Sequence, residues 1–283
     1  KIDPNKVFNK NLDRTVRQVK RNSREINLLK KDMDNLESKY DLVIGNGCSF
    51  TEGGGLNHPD LYEFFTKQKF TTHEEADKWM FTKSYPKLLG DLFKCKWKNI
   101  STSCSSNNLI IERAYKELQK HKNVNKVLII NQLSIATRLG LKHGNDYYSY
   151  NGLSGKVVHE NVNRIGWSKP TFVPNLNEPF DQYYKNYIVE VFDHDYHWEI
   201  TAMKMDLFNS WCEKRNIDNY WVAWDEEIRI KNIDRVINPY GEPIVDWARK
   251  NKMRLEDVEG IPHGDAHLSI EGHKQLANII YEK

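Results

Sequence analysis

The sequence predicts a three-layer α/β/α domain with a parallel sheet, preceded by a long N-terminal helix. Two observations predict the domain: short apolar runs typical of buried strands alternate with helical segments, and most links between them are short. A third observation separates the helix, because residues 5–40 contain neither glycine nor proline. We therefore expect a helix over residues 1–40 and an α/β domain over residues 41–283.

The composition suits a globular protein of this class. The chain has 283 residues, of which 39% are apolar, which is enough to bury a core. No apolar run approaches the roughly 20 residues of a membrane-spanning helix, and no signal peptide is visible, so we expect a soluble protein without a membrane partner. The four cysteines form neither a CxxC pair nor a dense framework, which predicts reduced thiols.

The net charge of +3 is unevenly distributed along the chain. Residues 1–40 hold eleven Lys/Arg against six Asp/Glu, which leaves residues 41–283 with a charge of about −2. A domain that binds nucleic acid through its charge is expected to be clearly basic. Nucleic acid is therefore not an expected partner.

A seven-residue rhythm runs through the N-terminal helix. Two series of mostly apolar residues correspond to the a and d positions of a coiled coil, and charged residues fill most of the rest. The a series is Leu12, Val19, Ile26, Met33 and Tyr40, and the d series is Phe8, Thr15, Asn22, Leu29 and Leu36. We expect self-association through this helix, with the polar d residues fixing register. The alternative is one long amphipathic helix packed against its own domain.

Strands and helices alternate along the domain. The predicted strands cover residues 42–44, 96–100, 127–130 and 220–224. The predicted helices cover residues 85–93, 109–120 with Ser106 or Asn107 as N-cap, 188–214, 244–250 and 269–281. Two stretches lack clear periodicity. We expect residues 56–83 to form a lid or rim, and residues 140–185 to form an irregular excursion over one end of the sheet, with or without a hairpin.

A glycine-flanked turn over residues 45–53 follows the first strand and contains Ser49. Such a turn can expose a side-chain oxygen and leave backbone N–H groups available to an oxyanion. In parallel sheets, functional residues gather at the carboxyl ends of the strands. Residues 101–108 and 131–138 also follow predicted strands, so we expect all three stretches to meet at one edge of the sheet.

Near the C-terminus, Asp265 and His267 lie two residues apart, just before the last predicted helix. A histidine held in one tautomer by a carboxylate can act as a general base. With Ser49 as nucleophile, these residues would form a triad in the chain order Ser, Asp, His. The simpler alternative is that Ser269 caps the last helix, while His267 and His273 are local surface residues.

These two ends of the domain resemble the SGNH (GDSL-type) hydrolases. Residues 47–51 (Gly-Cys-Ser-Phe-Thr) are similar to the family's Gly-Asp-Ser motif, and residues 265–273 (Asp-Ala-His-Leu-Ser-Ile-Glu-Gly-His) are similar to its last block. Residues 99–107 resemble the second block, and residues 132–138 take the place of the third. The resemblance spans about residues 41–283 and leaves the N-terminal helix outside.

The resemblance implies a flavodoxin-like sheet and ester hydrolysis through an acyl-enzyme on Ser49, with no metal or organic cofactor. It also implies oxyanion donors from the two inner blocks, where this chain departs from the family. Cys104 stands where a glycine normally donates an N–H, and the third block lacks the usual asparagine. The candidate oxyanion or binding residues are Cys104, Asn107, Gln132, Ser134 and Arg138.

Two other clusters have competing interpretations. Residues 193–197 (Asp-His-Asp-Tyr-His) could supply metal ligands, but nothing in the sequence pairs with them. A group of aromatic residues could stack on a sugar, or could simply pack the irregular excursion. This group is Tyr147, Tyr148, Tyr150, Trp167, Phe172, Tyr183 and Tyr184.

The sequence therefore predicts a serine esterase of the SGNH type, with Ser49, His267 and Asp265 as catalytic residues and O-acetyl groups on a polysaccharide as expected substrate. Its third block resembles domains associated with bacteriophages. Virion proteins are thus candidate partners, and the expected location is the virion or otherwise the cytoplasm. Because a missing oxyanion donor typically lowers the rate by roughly 10²–10³, the alternative is a weakly active or inactive virion structural or adhesin subunit that assembles through the N-terminal helix.

Overall fold

The computed structural model describes residues 38–103, 105–135, 138–143, 146–151, 156–159, 182, 186–187, 193–224, 235–262 and 264–283. The chain divides into two units, Lys1–Lys39 and Tyr40–Lys283, and the fold below is that of the second. The predicted coiled coil lies outside the described residues, apart from its last three positions, and stays a prediction.

Tyr40, the last a position of the predicted coiled coil, belongs to the core of the α/β domain. Its ring packs edge-to-face on Phe93 with the ring centroids 4.9 Å apart. Its hydroxyl donates to Asp218 Oδ2 at 2.7 Å. The domain core therefore begins at this residue.

Seven strands form two sheets. They are β1 (Leu42–Asn46), β2 (Lys96–Asn99), β3 (Val127–Leu133), β4 (Leu139–His143), β5 (Asp146–Asn151), β6 (Lys156–His159) and β7 (Ile217–Ala223). The first sheet is all-parallel, with strand order β2-β1-β3-β7. Strands β1 and β3 are buried along their whole length, as expected for central strands of a parallel sheet. Lys96 is exposed on edge strand β2, where a charge discourages further pairing.

Eight α-helices lie in the described part of the chain. They are α1 (Ser49–Glu52), α2 (Pro59–Thr66), α3 (His73–Lys83), α4 (Tyr85–Leu92), α5 (Asn107–Lys120), α6 (His194–Glu213), α7 (Ile244–Lys250) and α8 (Ile270–Tyr281). One face of the parallel sheet, including Val43 and Ile130, packs against α4, α7 and α8. The other face, including Ile44 and Ile129, packs against α5 and α6. The predicted three-layer α/β/α class is confirmed, and this arrangement is consistent with the SGNH fold.

Strand β3 extends to Leu133, three residues beyond its predicted end. Asn131 and Gln132 were predicted to follow the end of this strand, but both are fully buried and pair with β7. Their amides find hydrogen-bond partners inside the domain, so the strand continues. Helix α5 begins at Asn107, and Ser106 is its N-cap, since its Oγ accepts from the N–H of Leu109.

Residues 56–83 contain two helices that the sequence analysis did not predict. Pro59 stands at the first position of α2, where its missing N–H is harmless. Thr72 caps α3 by accepting from the N–H of Glu75. Leu61 and Met80 from these helices are buried in a small third core cluster.

The excursion over residues 140–185 begins as an antiparallel sheet of order β4-β5-β6. Most of the remaining excursion, including four of the seven aromatic residues considered for sugar stacking, lies outside the described residues. The other three, Tyr147, Tyr148 and Tyr150, lie on β5. Among the helices that the structure describes, none combines the length and apolar character needed to span a bilayer.

Candidate active site

Ser49 begins α1, directly after the turn that follows β1. Cys48 is the N-cap in extended conformation, and it is fully buried beneath the turn. A Cβ atom at Gly47 would lie 2.5 Å from Thr51 Oγ1 and 2.8 Å from Gln132 Cβ, so a side chain larger than hydrogen does not fit there. The glycine thus permits the tight turn that places Ser49 at the carboxyl end of β1.

His267 lies beside Ser49, and Asp265 lies beside His267, although the serine and the histidine are 218 positions apart in the sequence. Ser49 Oγ lies 2.8 Å from His267 Nε2. His267 Nδ1 lies 2.9 Å from Asp265 Oδ2, and the backbone N–H of the same histidine donates to Asp265 Oδ1 at 2.9 Å. The two-residue spacing therefore lets one carboxylate bind both the ring and the backbone of the histidine. With its Nδ1–H donated to Asp265, the neutral ring presents Nε2 as an acceptor to Ser49.

The environment of Asp265 favours its ionised form. Partial burial raises the pKa of this carboxyl, but the hydrogen bonds from the ring and backbone of His267, together with electrostatic interactions with His267 and His58, outweigh burial and lower the pKa below its usual value. The Asp265 side chain is 52% exposed, whereas that of His267 is 24% exposed. Phe50 packs on the His267 ring with the ring centroids 4.7 Å apart and so restrains its orientation.

Two glycines after α1 bring the backbone close to the Ser49–His267 pair. A Cβ atom at Gly54 would lie 2.8 Å from Ser49 Cβ and 3.0 Å from His267 Nε2. Gly55 has a φ of +86°, a conformation that L-residues rarely adopt. Side chains at these positions would therefore displace the pair or strain the chain.

Ser49 and His267 open into a cavity of about 500 Å³. The other lining residues are Glu52, Gly54, Gly55, Asn57, His58, Pro59, His73, Met80 and Ser103. Five of these come from residues 56–83, which agrees with the predicted rim. The sequence analysis did not single out Glu52, Asn57, His58, His73 or Ser103. Glu52 and Ser103 lie inside the motif stretches, whereas the other three lie in the aperiodic segment and carry no comparable signal.

Glu52 joins α1 to the loop after β2. The backbone N–H and the hydroxyl of Ser103 both donate to Glu52 Oε2, at 2.9 and 2.5 Å. The carboxylate is almost fully buried at the cavity wall, with 2% of its residue surface exposed. This contact fixes the loop over residues 101–106 beside Ser49.

Gln132, a candidate oxyanion donor, lies beneath the nucleophile turn. Its Nε2 donates to Cys48 Sγ at 3.1 Å and to the Leu133 carbonyl at 3.1 Å, while its Oε1 accepts from Thr51 Oγ1 at 2.9 Å. Both N–H groups of this amide are thus directed at protein atoms under the turn. Its part in an oxyanion hole stays a prediction.

Three other candidates contact one another. The Asn107 amide donates to the Ser134 carbonyl at 2.9 Å and accepts from the Ser134 N–H at 2.7 Å. Arg138 Nη1 donates to Ser134 Oγ at 2.7 Å. These side chains tie the end of β3 to the start of α5, and like Gln132 they are not among the cavity's described lining residues. Cys104 lies outside the described residues, and the donor roles of all five stay predictions.

The simpler interpretation of the C-terminal block is partly right. Ser269 does cap α8, because its Oγ accepts from the Gly272 N–H at 3.1 Å. His273, however, is fully buried rather than on the surface. Its Nδ1 accepts from the Tyr85 N–H at 3.3 Å, and burial lowers the pKa of its ring to about 3. A surface position for His273 was therefore wrong.

Cys48, Cys95 and Cys212 are free thiols, which agrees with the expectation of reduced cysteines. Over the described residues, no three His, Cys, Asp or Glu side chains group in a way that could hold a metal ion. The side chain of His194 in the 193–197 cluster lies outside that description.

No protein-family model matches the chain, and no curated protein matches it. Solved structures similar to it are described as lipolytic proteins and esterases. One is a G-D-S-L family protein described as lipolytic, from Desulfitobacterium hafniense DCB-2, at 14% identity and a TM-score of 0.41, covering 86% of this chain and 98% of that one.

Two further similar structures have comparable scores. The psychrotrophic esterase EstA from Pseudoalteromonas sp., inhibited by monoethylphosphonate, has 10% identity and a TM-score of 0.41, covering 86% of this chain and 95% of that one. A carbohydrate esterase, whose active site is described as having divergent catalytic and non-catalytic binding functions, has 12% identity and a TM-score of 0.38, covering 88% of this chain and 69% of that one. Similarities of this size say nothing about the chemistry of this chain.

Proposed function

We propose that this protein is a serine ester hydrolase of the SGNH type. One observation carries the proposal: Ser49 Oγ lies 2.8 Å from His267 Nε2, whose other ring nitrogen lies 2.9 Å from Asp265, at the wall of an open cavity. A hydroxyl, an imidazole and a carboxylate in this order form the arrangement that activates a serine nucleophile. Because Ser49 lines the cavity, a substrate can reach its hydroxyl.

The first half of the reaction forms an acyl-enzyme. Ser49 Oγ attacks the ester carbonyl carbon while His267 Nε2 takes the hydroxyl proton. The imidazolium then gives that proton to the departing alcohol oxygen as the carbon–oxygen bond breaks. The ionised carboxylate of Asp265 holds the ring through Nδ1 and stabilises its positive charge in both steps.

The second half releases the acid. A water molecule attacks the acyl carbon while His267 Nε2 takes one of its protons, and the proton returns to Ser49 Oγ as the acyl–oxygen bond breaks. The products are the free acid and the regenerated serine. Hydrolysis therefore needs no redox partner, and His267 transfers one proton in each half of the reaction.

The oxyanion is expected to bind at the start of α1. The first N–H groups of a helix lack partners within the helix, and the Ser49 N–H is adjacent to the attacking oxygen. The side-chain candidates Asn107, Gln132 and Ser134 have the protein partners described above, which favours backbone donors over these side chains in the resting enzyme. Peptide groups held in a packed turn need no reorganisation when charge develops.

We further propose O-acetyl groups on a polysaccharide as substrate. The cavity supplies several side chains that can exchange hydrogen bonds with sugar hydroxyls, among them Asn57, His58 and His73. Its volume of about 500 Å³ lies within the range of sites for small ligands. Acetate release from an acetylated polysaccharide, faster than butyrate release from the butyrylated one, is the expected result. Equal rates would contradict the preference for acetyl groups.

A fluorophosphonate probe tests the chemistry. We expect one label per chain, on the peptide that contains Ser49, and loss of the label in Ser49→Ala. Ser210→Ala is the control, because it removes an exposed serine hydroxyl on α6 that is not among the lining residues of the cavity, and it should leave the label in place. An unlabelled native protein that releases no acetate would contradict the proposal and favour the inactive virion subunit.

Self-association through residues 1–40 is proposed as well, on the heptad pattern alone. Light scattering of the full chain should give a multiple of the mass of one chain. Ile26→Asp, which introduces a charge into the a series, should lower that mass. A monomeric full chain would contradict this proposal and leave the chemistry untouched.

A further inference from the structure

Arg113 on α5 donates hydrogen bonds to three residues near the proposed nucleophile. Its Nη2 donates to the Gly47 carbonyl at 2.8 Å, its Nε donates to Asn46 Oδ1 at 2.9 Å, and its Nη1 donates to Ser105 Oγ at 3.0 Å. Asn46 and Gly47 belong to the turn over residues 45–53 that contains Ser49, whereas Ser105 belongs to the loop after β2. One guanidinium thus bridges two loops that are 58 residues apart between Gly47 and Ser105.

The Asn46 acceptor is itself held in place. Its Nδ2 donates to the Ile110 carbonyl on α5 and to Asn131 Oδ1 on β3, both at 2.7 Å. Asn46 is fully buried, and the register of β1 and β3 puts Asn46 beside Asn131. The guanidinium therefore binds a rigid end of β1, not a mobile side chain.

The Gly47 contact lies two residues before the proposed nucleophile. The carbonyl that accepts from Arg113 belongs to the Gly47–Cys48 peptide unit, whose orientation sets where α1 and Ser49 begin. On the other side of the loop, Ser103 bonds to Glu52 of α1 and lines the cavity. The loop is thus held against the nucleophile turn from two directions, by Arg113 and by Glu52.

We infer that Arg113 is a positioning residue, which sets the placement of Ser49 relative to the loop over residues 101–106. The expected effect of Arg113 on kcat rests on the proposed function, whereas its expected effect on the placement of the loop does not. The three acceptors are neutral oxygens in different directions, and a planar guanidinium can serve all three at once. A lysine ammonium is a compact point charge on a flexible stem and cannot match this fork.

Three variants test the inference in the full chain. Arg113→Met removes the hydrogen-bond donors and keeps much of the side-chain bulk, whereas Arg113→Lys keeps the positive charge without the planar guanidinium. Arg249→Met is the control, because it replaces an exposed arginine on α7 with methionine. We expect Arg113→Met to lower kcat and the rate of fluorophosphonate labelling by about 10- to 100-fold with KM little changed, since small misplacement of a nucleophile has effects of this size. Arg113→Lys should lie between Met and the native protein, and Arg249→Met should equal the native protein.

Hydrogen exchange supplies a readout that does not need activity. Arg113→Met should speed exchange in peptides covering residues 45–53 and 101–106 and leave those of α7 and α8 at native rates. If the native protein is inert to the probe, the proposed function fails while exchange still decides the role of Arg113. Native exchange and labelling in Arg113→Met would overturn the inference. Full recovery by Arg113→Lys, or faster exchange throughout the domain, would overturn it too, since charge or global folding would then be the cause.

Discussion

The domain contains two rows of hydrogen-bonded polar side chains, one at the cavity and one across the parallel sheet, and they differ in burial. The cavity row is Ser49, His267 and Asp265, with links of 2.8 and 2.9 Å. The sheet row is Asn46, Asn131, Asn219 and Asn209, with links of 2.7, 2.7 and 2.6 Å. The cavity row ends in a half-exposed carboxylate, whereas the first three members of the sheet row are fully inaccessible.

The difference shows that a row of hydrogen bonds can transfer a proton to or from a substrate if it contains titratable groups and a substrate can reach it. Every link of the sheet row joins carboxamides, which neither gain nor lose protons near neutral pH. Satisfied amides inside a domain fix strand register and stabilise one packing, because an unpaired one would be costly. The cavity row contains an imidazole and a carboxylate next to solvent, so it can move a proton. We therefore expect changes in the cavity row to affect rate, and changes in the sheet row to affect stability.

His267→Gln should give the largest effect. Glutamine cannot take the Ser49 proton, so kcat for ester hydrolysis should fall by roughly 10⁴–10⁶. The free energy of unfolding should change little, since His267 borders the cavity. Steady-state kinetics and urea unfolding measure the two quantities. Native activity in this variant would remove His267 from the mechanism.

Asp265→Asn should have a smaller effect on rate. An asparagine cannot hold the ring in the same tautomer, which lowers kcat by about 10⁴ in a well-buried triad. Because the carboxylate is half exposed, we expect a fall of about 10²–10³ here. Asp246→Asn, which changes a carboxylate on α7, is the control and should leave kcat unchanged. A rate that falls with both variants would point to a general effect of charge.

Asn131→Ala, a change in the sheet row, should lower stability and leave the rate close to the native value. It leaves one N–H of the Asn46 side-chain amide and the side-chain oxygen Oδ1 of Asn219 without their partner, which should lower the free energy of unfolding by about 2–4 kcal/mol. Well below the unfolding midpoint, kcat should stay close to the native value. Urea unfolding and kinetics at low temperature check both statements. A large loss of kcat with native stability would show that the sheet row acts on the chemistry.

His273→Asn should have the smallest effect on kcat, and should instead change how the free energy of unfolding depends on pH. Burial lowers the pKa of His273 from 6.5 to about 3, so between these values the unfolded chain binds a proton that the folded chain does not. The native protein should lose stability as pH falls through this window, by about 1.4 kcal/mol per pH unit more than the variant. Asparagine keeps an acceptor for the Tyr85 N–H. Parallel stability curves for the two proteins would contradict this.

The sequence predicts structure most accurately where local chemistry and packing favour the same conformation. The turn at Ser49 and the Asp265–His267 pair are flanked by glycines or a cap, so their backbone is set by a few neighbouring residues. The prediction was least accurate over residues 131–133, which were placed after the third strand although the strand continues to Leu133. Nothing near Asn131 in the sequence indicates that Asn46 and Asn219 would satisfy its amide.

Local patterns in the sequence were enough to predict the fold class, the alternation of strands and helices, and the candidate residues Ser49, Asp265 and His267. These follow from periodicity, capping and turn chemistry, which act over a few residues. The contact between Ser49 and His267, the position of Gln132 beneath the turn, and the bonds of Arg113 and Glu52 to the neighbouring loop are visible in the folded domain alone. These contacts join residues far apart in the chain, and their geometry depends on how the strands align and the helices pack.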